Sequence, residues 1–222
     1  VGLSSEYYAS KASNNLDKFF HNYNMRFPEE AVYQERLFAG FSAGFSFDTR
    51  PDILTPYKGA YWKTQLTAKT QMNGSSRSYS RIFTEAGFYL GLKDSTIVMA
   101  NRIGGGTTLG NPLFFQQMSL GGERNLRGFR TNRFVGQTML YHNLEIRMKV
   151  LSFTSYLLPG TVGLIAFNDI GRVWMPAEQS SEWHDGYGGG VYISPANRIL
   201  IQGVVGFSKE STVAYIPLGF NF

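Results

Sequence analysis

The sequence contains no cysteine. That excludes a disulfide framework, a thiolate metal site and thiol redox chemistry. Histidine is nearly as scarce, and His21, His142 and His184 stand far apart in the chain. Neither a metal nor a cofactor is expected. No stretch approaches the ~18 consecutive apolar residues of a membrane-crossing helix. The start, Val1-Gly2-Leu3-Ser4, has neither the basic residues nor the apolar core of a secretory leader. Either a leader has been removed or the chain is a fragment. The net charge of +5 reads first as a solvated surface, with attraction to anionic lipid headgroups as the alternative. Nothing points to nucleic acid. Gly104-Gly105-Gly106 is not followed by Lys-Ser/Thr and opens no helix, so it is read as a flexible loop and not a phosphate cradle.

In place of these the chain has 25 Gly and 15% aromatic residues, including 18 Phe and 13 Tyr. That mix suits strands, tight turns and aromatic girdles. Mean hydropathy is −0.19. A membrane barrel can share that value with a soluble sheet, because half of each barrel strand faces a polar lumen.

Residues 1–13 read as a first strand and residues 14–34 as a long loop. Explicit alternation begins at Leu37. Leu37, Ala39, Phe41, Ala43, Phe45 and Phe47 fall on one face, and Phe38, Gly40, Ser42, Gly44, Ser46 and Asp48 on the other. Period 2 over about a dozen residues is a strand with one apolar face. The pattern recurs over 60–72, 81–92 and 95–103. It is clearest over 140–150, where Leu140, His142, Leu144, Ile146 and Met148 oppose Tyr141, Asn143, Glu145, Arg147 and Lys149. It returns over 161–174, 186–194 and 198–208, and a tenth strand ends the chain at Phe220-Asn221-Phe222. Gly188-Gly189-Gly190, inside one of these, marks a kink or a close strand approach.

About ten strands without an interleaved helix make an antiparallel meander, so the fold class is all-β. Two features favour a transmembrane β-barrel over a soluble sandwich. The polar faces carry Lys63, Lys69, Glu145, Arg147 and Lys149, which suits a wet lumen. The strands are also longer than the ~5–6 residues usual in soluble sheets. Phe41, Phe45, Leu144, Ile146, Leu218 and Phe220 are then expected to face lipid, and Arg147 either to pair with Glu145's neighbours or, as the favoured reading, to line a wet lumen. His142 faces lipid or a neighbour by parity.

Residues 104–137 are a long insertion, and structureless insertions of this length are usually functional or disordered. At its centre lies Gly121-Gly122-Glu123-Arg124-Asn125-Leu126-Arg127-Gly128-Phe129. Its glycines allow a sharp fold. Arg127 is permanently charged, so inside a barrel it needs carboxylates. Glu145 and Asp169 point inward by parity. The insertion is expected to be an extracellular loop that folds into the lumen and brings Arg127 to one or both acids.

Leu126-Arg127-Gly128-Phe129, preceded by Gly121-Gly122, resembles the (V/L)RGF loop signature of the BamA superfamily, also called the bacterial surface antigen family. Asp48-Thr49-Arg50 with Pro56 and Gly59 is similar to that family's D-x-R…P-x-x-G periplasmic turn. Asn168-Asp169-Ile170-Gly171 is similar to its D-x-G strand. The aromatic end, Phe220 and Phe222, is similar to its C-terminal assembly signal, although Pro217 stands where Gly is common. The flavour is that of Bacteroidetes members. The resemblance covers all 222 residues and implies the last ten strands of a sixteen-stranded barrel in the bacterial outer membrane. It also implies upstream POTRA domains or a second chain that completes the barrel, and Glu145 and Asp169 as the loop's lumen partners. The implied partners are outer-membrane lipid, lipopolysaccharide and client polypeptides.

The function so implied is protein assembly or translocation without covalent chemistry. A passive pore is one alternative. A rim hydrolase using His184 beside Asp185 is another, although a solvated loop histidine is much the better reading of His184.

Overall fold

A computed structural model describes residues 1–9, 33–74, 77–154, 159–176, 181–196 and 199–220. Ten strands form one sheet. They are β1 (Gly2–Tyr8), β2 (Arg36–Asp48), β3 (Gly59–Gln71), β4 (Ser78–Leu92), β5 (Ile97–Gly110), β8 (Thr138–Phe153), β9 (Gly160–Trp174), β10 (His184–Pro195), β11 (Ile201–Ser208) and β12 (Thr212–Tyr215). A separate hairpin, β6 (Met118–Leu120) and β7 (Phe134–Gly136), lies between β5 and β8 in the chain. Every ladder of the large sheet is antiparallel, and the sheet follows chain order from β1 to β12 with only the hairpin left out. β1 and β12 are its outer members.

The outer face is the reverse of a soluble protein's, and the inner face mixes buried charges with apolar clusters. Phe41, Phe45, Trp62, Phe88, Ile103, Ile146 and Val191 are exposed on the outside, while Glu85, Arg102, Asn143, Glu145, Arg147 and Asp169 are buried inside. Only an apolar surrounding makes that distribution favourable, and lipid supplies it. β4, β8 and β9 have 15, 16 and 15 residues, more than the ~9–11 needed for a tilted crossing. Leu144 is half-buried but stays on the outer side, in phase with Ile146.

The structure departs from the sequence reading at three places. First, Gly104, Gly105 and Gly106 are not loop. β5 continues to Gly110, paired with β4 on one side and β8 on the other, so the insertion proper is 111–137. A Cβ at Gly104 would lie 2.4 Å from the Tyr141 ring, which packs over the bare backbone. The glycines make room for the large side chains of β8. The insertion has its own structure, a 3₁₀ turn (Phe114–Gln116) and the β6–β7 hairpin.

Second, the last strand stops at Tyr215. Ile216 and Leu218 face outward, but Gly219 has φ +93°. That left-handed residue breaks the alternation and turns Phe220 inward, where it packs edge-on against Tyr192 at 5.4 Å. Phe220 therefore does not face lipid. Phe222, and the earlier part of the chain read as loop over 14–32, lie outside the described residues, as do positions 10–13 of the first strand.

Third, Arg147 does not line a wet lumen. Its Nε donates to Glu145 at 2.7 Å, and its guanidinium lies 3.5 Å from the Phe220 ring centre.

The outer face generates a direct test. Ile146→Arg, at a mid-strand lipid position, should cost about 2–4 kcal/mol when folding into phospholipid vesicles is followed by denaturant titration. An unchanged midpoint would remove Ile146 from the lipid face.

Candidate functional site

The insertion crosses the inner face of the sheet, and its local chemistry explains its shape. Gly121 and Gly122 have φ +124° and +88°, open only to glycine at low cost. The amide of Gly121 donates to Asn125 Oδ1 at 2.9 Å, and Asn125 Nδ2 donates to the Ser119 carbonyl at 3.1 Å. Gly122 N donates to Phe129 O at 3.1 Å, which closes the loop on itself. Leu126 and Phe129, both buried, pack with Met118, Leu120, Met139 and Tyr141. That apolar cluster fixes the loop body and leaves one direction for the residue between them.

Arg127 takes that direction. Its Nε and Nη2 donate to the two oxygens of Asp169 at 2.7 and 2.8 Å, and its backbone amide adds a third bond to Asp169 at 2.9 Å. Nη1 donates to Glu145 at 2.5 Å. The guanidinium lies 3.7 Å from the Phe167 ring centre. The side chains of Arg127, Glu145 and Asp169 are at most 1% exposed. The other oxygen of Glu145 accepts from Arg147, so two cations face two anions and the buried group is neutral overall. A fork geometry of this kind uses the planar guanidinium fully.

Gly128 explains how the backbone comes so close to the wall. It has φ +94°, and a Cβ there would lie 2.6 Å from the Phe207 carbonyl oxygen. Its carbonyl accepts from Ser208 Oγ and Ser211 Oγ, both at 2.8 Å. Tyr215 Oη accepts from Gly128 N at 3.2 Å and donates to Phe129 O at 2.9 Å. Ser208, Ser211 and Tyr215 escaped the sequence reading. Their only signal was proximity to a strand end, which does not say what they hold. Outside the site, Arg133 bridges to Glu210 at 2.6 Å and ties the β6–β7 hairpin to the β11–β12 turn.

Asp48 and Arg50 form their own pair at the opposite end of the strands. Arg50 Nε and Nη2 reach the two Asp48 oxygens at 3.0 and 2.7 Å. The Arg50 guanidinium lies over Tyr61 at 4.5 Å and near Tyr89 at 5.6 Å, and Arg147 approaches the same Tyr89 ring at 5.7 Å. Arg147 Nη1 also donates to the Pro56 carbonyl at 3.4 Å. Among the described residues the turn meets the Arg127 group through Arg147 and through Leu54, which packs on the cluster that holds Phe167. Phe220 joins there too, its ring centre 3.5 Å from the Arg147 guanidinium. His184 is not placed as a base for Asp185. Its ring stacks on Phe134 at 3.6 Å and 8°, and meets Phe129 edge-on at 6.0 Å. It serves as an aromatic that clamps the hairpin. Arg127 and Arg147 donate to the two carboxylates, an arrangement that holds and orients the loop.

The Omp85 superfamily domain matches residues 2–212 of the chain. No curated protein matches the sequence. Among solved structures the chain is similar to BamA from Haemophilus ducreyi lacking POTRA domains 1–3, with 16% identity and a TM-score of 0.59. The match covers 84% of this chain and 43% of that one, so the chain spans less than half of the related structure. That likeness concerns the fold. With the family match over nearly all of its length, the chain belongs to the Omp85 superfamily, a family of outer-membrane barrels for protein assembly and translocation.

Removing one member of a buried ion group leaves its partners uncompensated. Asp169→Ala should therefore cost about 3–5 kcal/mol, measured as the loss of loop protection from protease at rising urea. Arg127→Lys should recover little of the loss seen in Arg127→Ala, because an ammonium lacks the fork that spans both carboxylates. Full protection in Arg127→Lys would count against the bidentate geometry.

Proposed function

We propose that the chain forms the wall and plug loop of an outer-membrane barrel that inserts polypeptides into the membrane or passes them across it, without covalent chemistry. The family match gives the class of process. The observation that carries the reading further is the attachment of the loop to the inner wall by the Arg127, Glu145 and Asp169 group. A neutral, desolvated ion group holds the loop seated, and opening that group would give a barrel that handles polypeptide a point of control. In this reading 111–137 is extracellular and the Asp48–Arg50 turn is periplasmic. Client polypeptides and membrane lipid are the partners, lipopolysaccharide among them, with POTRA domains or further strands completing the machine.

The test is made in the full-length protein reconstituted in lipid vesicles. Polypeptide insertion or passage by the Arg127→Ala variant should fall about tenfold or more, the scale expected when a charge-assisted contact of roughly 1.5–3 kcal/mol is lost, while the folded barrel fraction on heat-modifiable gels is unchanged. Single-channel recordings supply the second arm. Steady conductance in the wild-type barrel, with no polypeptide handling in either protein, would replace the proposal with a passive pore.

A further inference from the structure

The insertion's backbone follows one line across the wall, and that line is a row of paired residues. Arg102 on β5 is registered with Asn143 on β8, and Asn143 with Asp169 on β9. Asp169 is registered with Gly186 on β10, and Gly186 with Ser208 on β11. Each of these five touches the loop segment 124–128 in order. Arg102 Nη2 donates to the Arg124 carbonyl. Asn143 Nδ2 donates to the Asn125 carbonyl at 3.0 Å. Asp169 takes the Arg127 amide and guanidinium. The Arg127 carbonyl oxygen lies where a Gly186 side chain would begin, 1.8 Å from the ideal Cβ position. Ser208 Oγ donates to the Gly128 carbonyl.

The half of the row on β5 and β8 has a charge of its own. Arg102 Nε and Nη2 both donate to Asn143 Oδ1, at 3.0 and 2.8 Å. Its Nη1 faces Glu85 at 3.7 Å, and Glu85 also accepts from Tyr61 Oη at 2.8 Å and from Tyr141 Oη. Asn143 is fully buried and Arg102 is 5% exposed. The Asn143 amide thus has an assigned sense, its oxygen turned to Arg102 and its nitrogen to the loop. Two charges of opposite origin then hold the segment. Arg127 is a loop cation in the wall's acids, and Arg102 is a wall cation aimed at the loop's carbonyls.

We propose that Arg102 and Asn143 form a second seat for the insertion, which recognises the backbone of residues 124 and 125 and sets the direction from which Arg127 enters its acids. They are positioning residues. This goes beyond the transport reading and would hold whatever the barrel moves. The seat reads main-chain carbonyls, so the side chain at 124 contributes nothing to it. The two variants that break it differ in chemistry. Arg102→Gln removes the cation. Asn143→Asp is isosteric and keeps the acceptor for Arg102, but sets a carboxylate oxygen against the Asn125 carbonyl and repels the loop.

These 222 residues hold no cysteine, so a thiol introduced among them is unique there, and any cysteine elsewhere in the full-length protein is first replaced by serine. A spin label on Arg130→Cys, an exposed loop position, reports loop mobility in the full-length protein in lipid. Barrel folding is checked on heat-modifiable gels. The ratio of mobile to immobile signal should rise about tenfold in Arg102→Gln and in Asn143→Asp, the scale of losing one charge-assisted bond. Arg102→Lys should fall between these and wild type, since it keeps the charge but not the two-nitrogen grip on Asn143. Arg124→Ala should leave the spectrum unmoved. An immobile spectrum in Asn143→Asp and Arg102→Gln with intact barrels overturns the proposal. A mobile spectrum in Arg124→Ala overturns its backbone-reading part. Should Arg102→Gln fail to fold, the isosteric Asn143→Asp and the charge-preserving Arg102→Lys decide the matter by the same ratio.

Discussion

A guanidinium removed from water is costly unless anions and hydrogen bonds replace its hydration. Arg127 is removed almost completely, and the replacement comes from two strands at once, Glu145 on β8 and Asp169 on β9. Much else follows from that requirement. The acids must sit on the inner face, so the outer face is left to apolar residues. A second cation, Arg147, balances the second acid. The loop must bring its backbone against the wall, so glycine is needed at 128 and at 186, where any side chain would hold it off. The apolar residues beside Arg127, Leu126 and Phe129, exclude water from the pair and so raise its strength.

The interior is correspondingly crowded. From the loop end come Leu126, Arg127 and Phe129. From the opposite end come Leu54 of the β2–β3 turn and Phe220, which pack on the cluster of Ile165, Phe167, Tyr192, Leu200 and Val204. Arg147 stands between these groups, bonded to Glu145 above and to the Pro56 carbonyl below. The chain's last described residue and the β2–β3 turn thereby share one cation with the loop's anchoring acids, which connects both ends of the strands through a few contacts.

Strand period alone made much of this readable. Parity put Glu145 and Asp169 on the inside before any coordinate was known, and it placed Ile146 and Phe45 outside. Parity fails where a left-handed residue resets it, as Gly219 does for Phe220. The run of three glycines at 104 looked like loop because glycine is poor strand material on its own. The residue that makes it a strand, Tyr141, is distant in sequence and packs over the gap. Arg147 looked solvated because its Phe220 cover depends on that same reset. Parity places Asn143 on the inner face with Glu145, but nothing in the sequence joins it to Arg102. Their pairing requires the register between β5 and β8, and the intervening insertion leaves that register undetermined from sequence.

The row from Arg102 to Ser208 has a consequence for how the wall is made. Its five residues come from five strands and meet the loop only if four successive ladders are in correct register. A slip of one residue in any ladder would carry a member to the lipid side, since alternate residues face opposite ways. The insertion lies between β5 and β8 in the chain, yet its full set of contacts also needs residues of β9, β10 and β11. A wall paired out of register offers no complete row and leaves a charged arginine without its acids, so the seated loop and the register of the four ladders it crosses depend on each other.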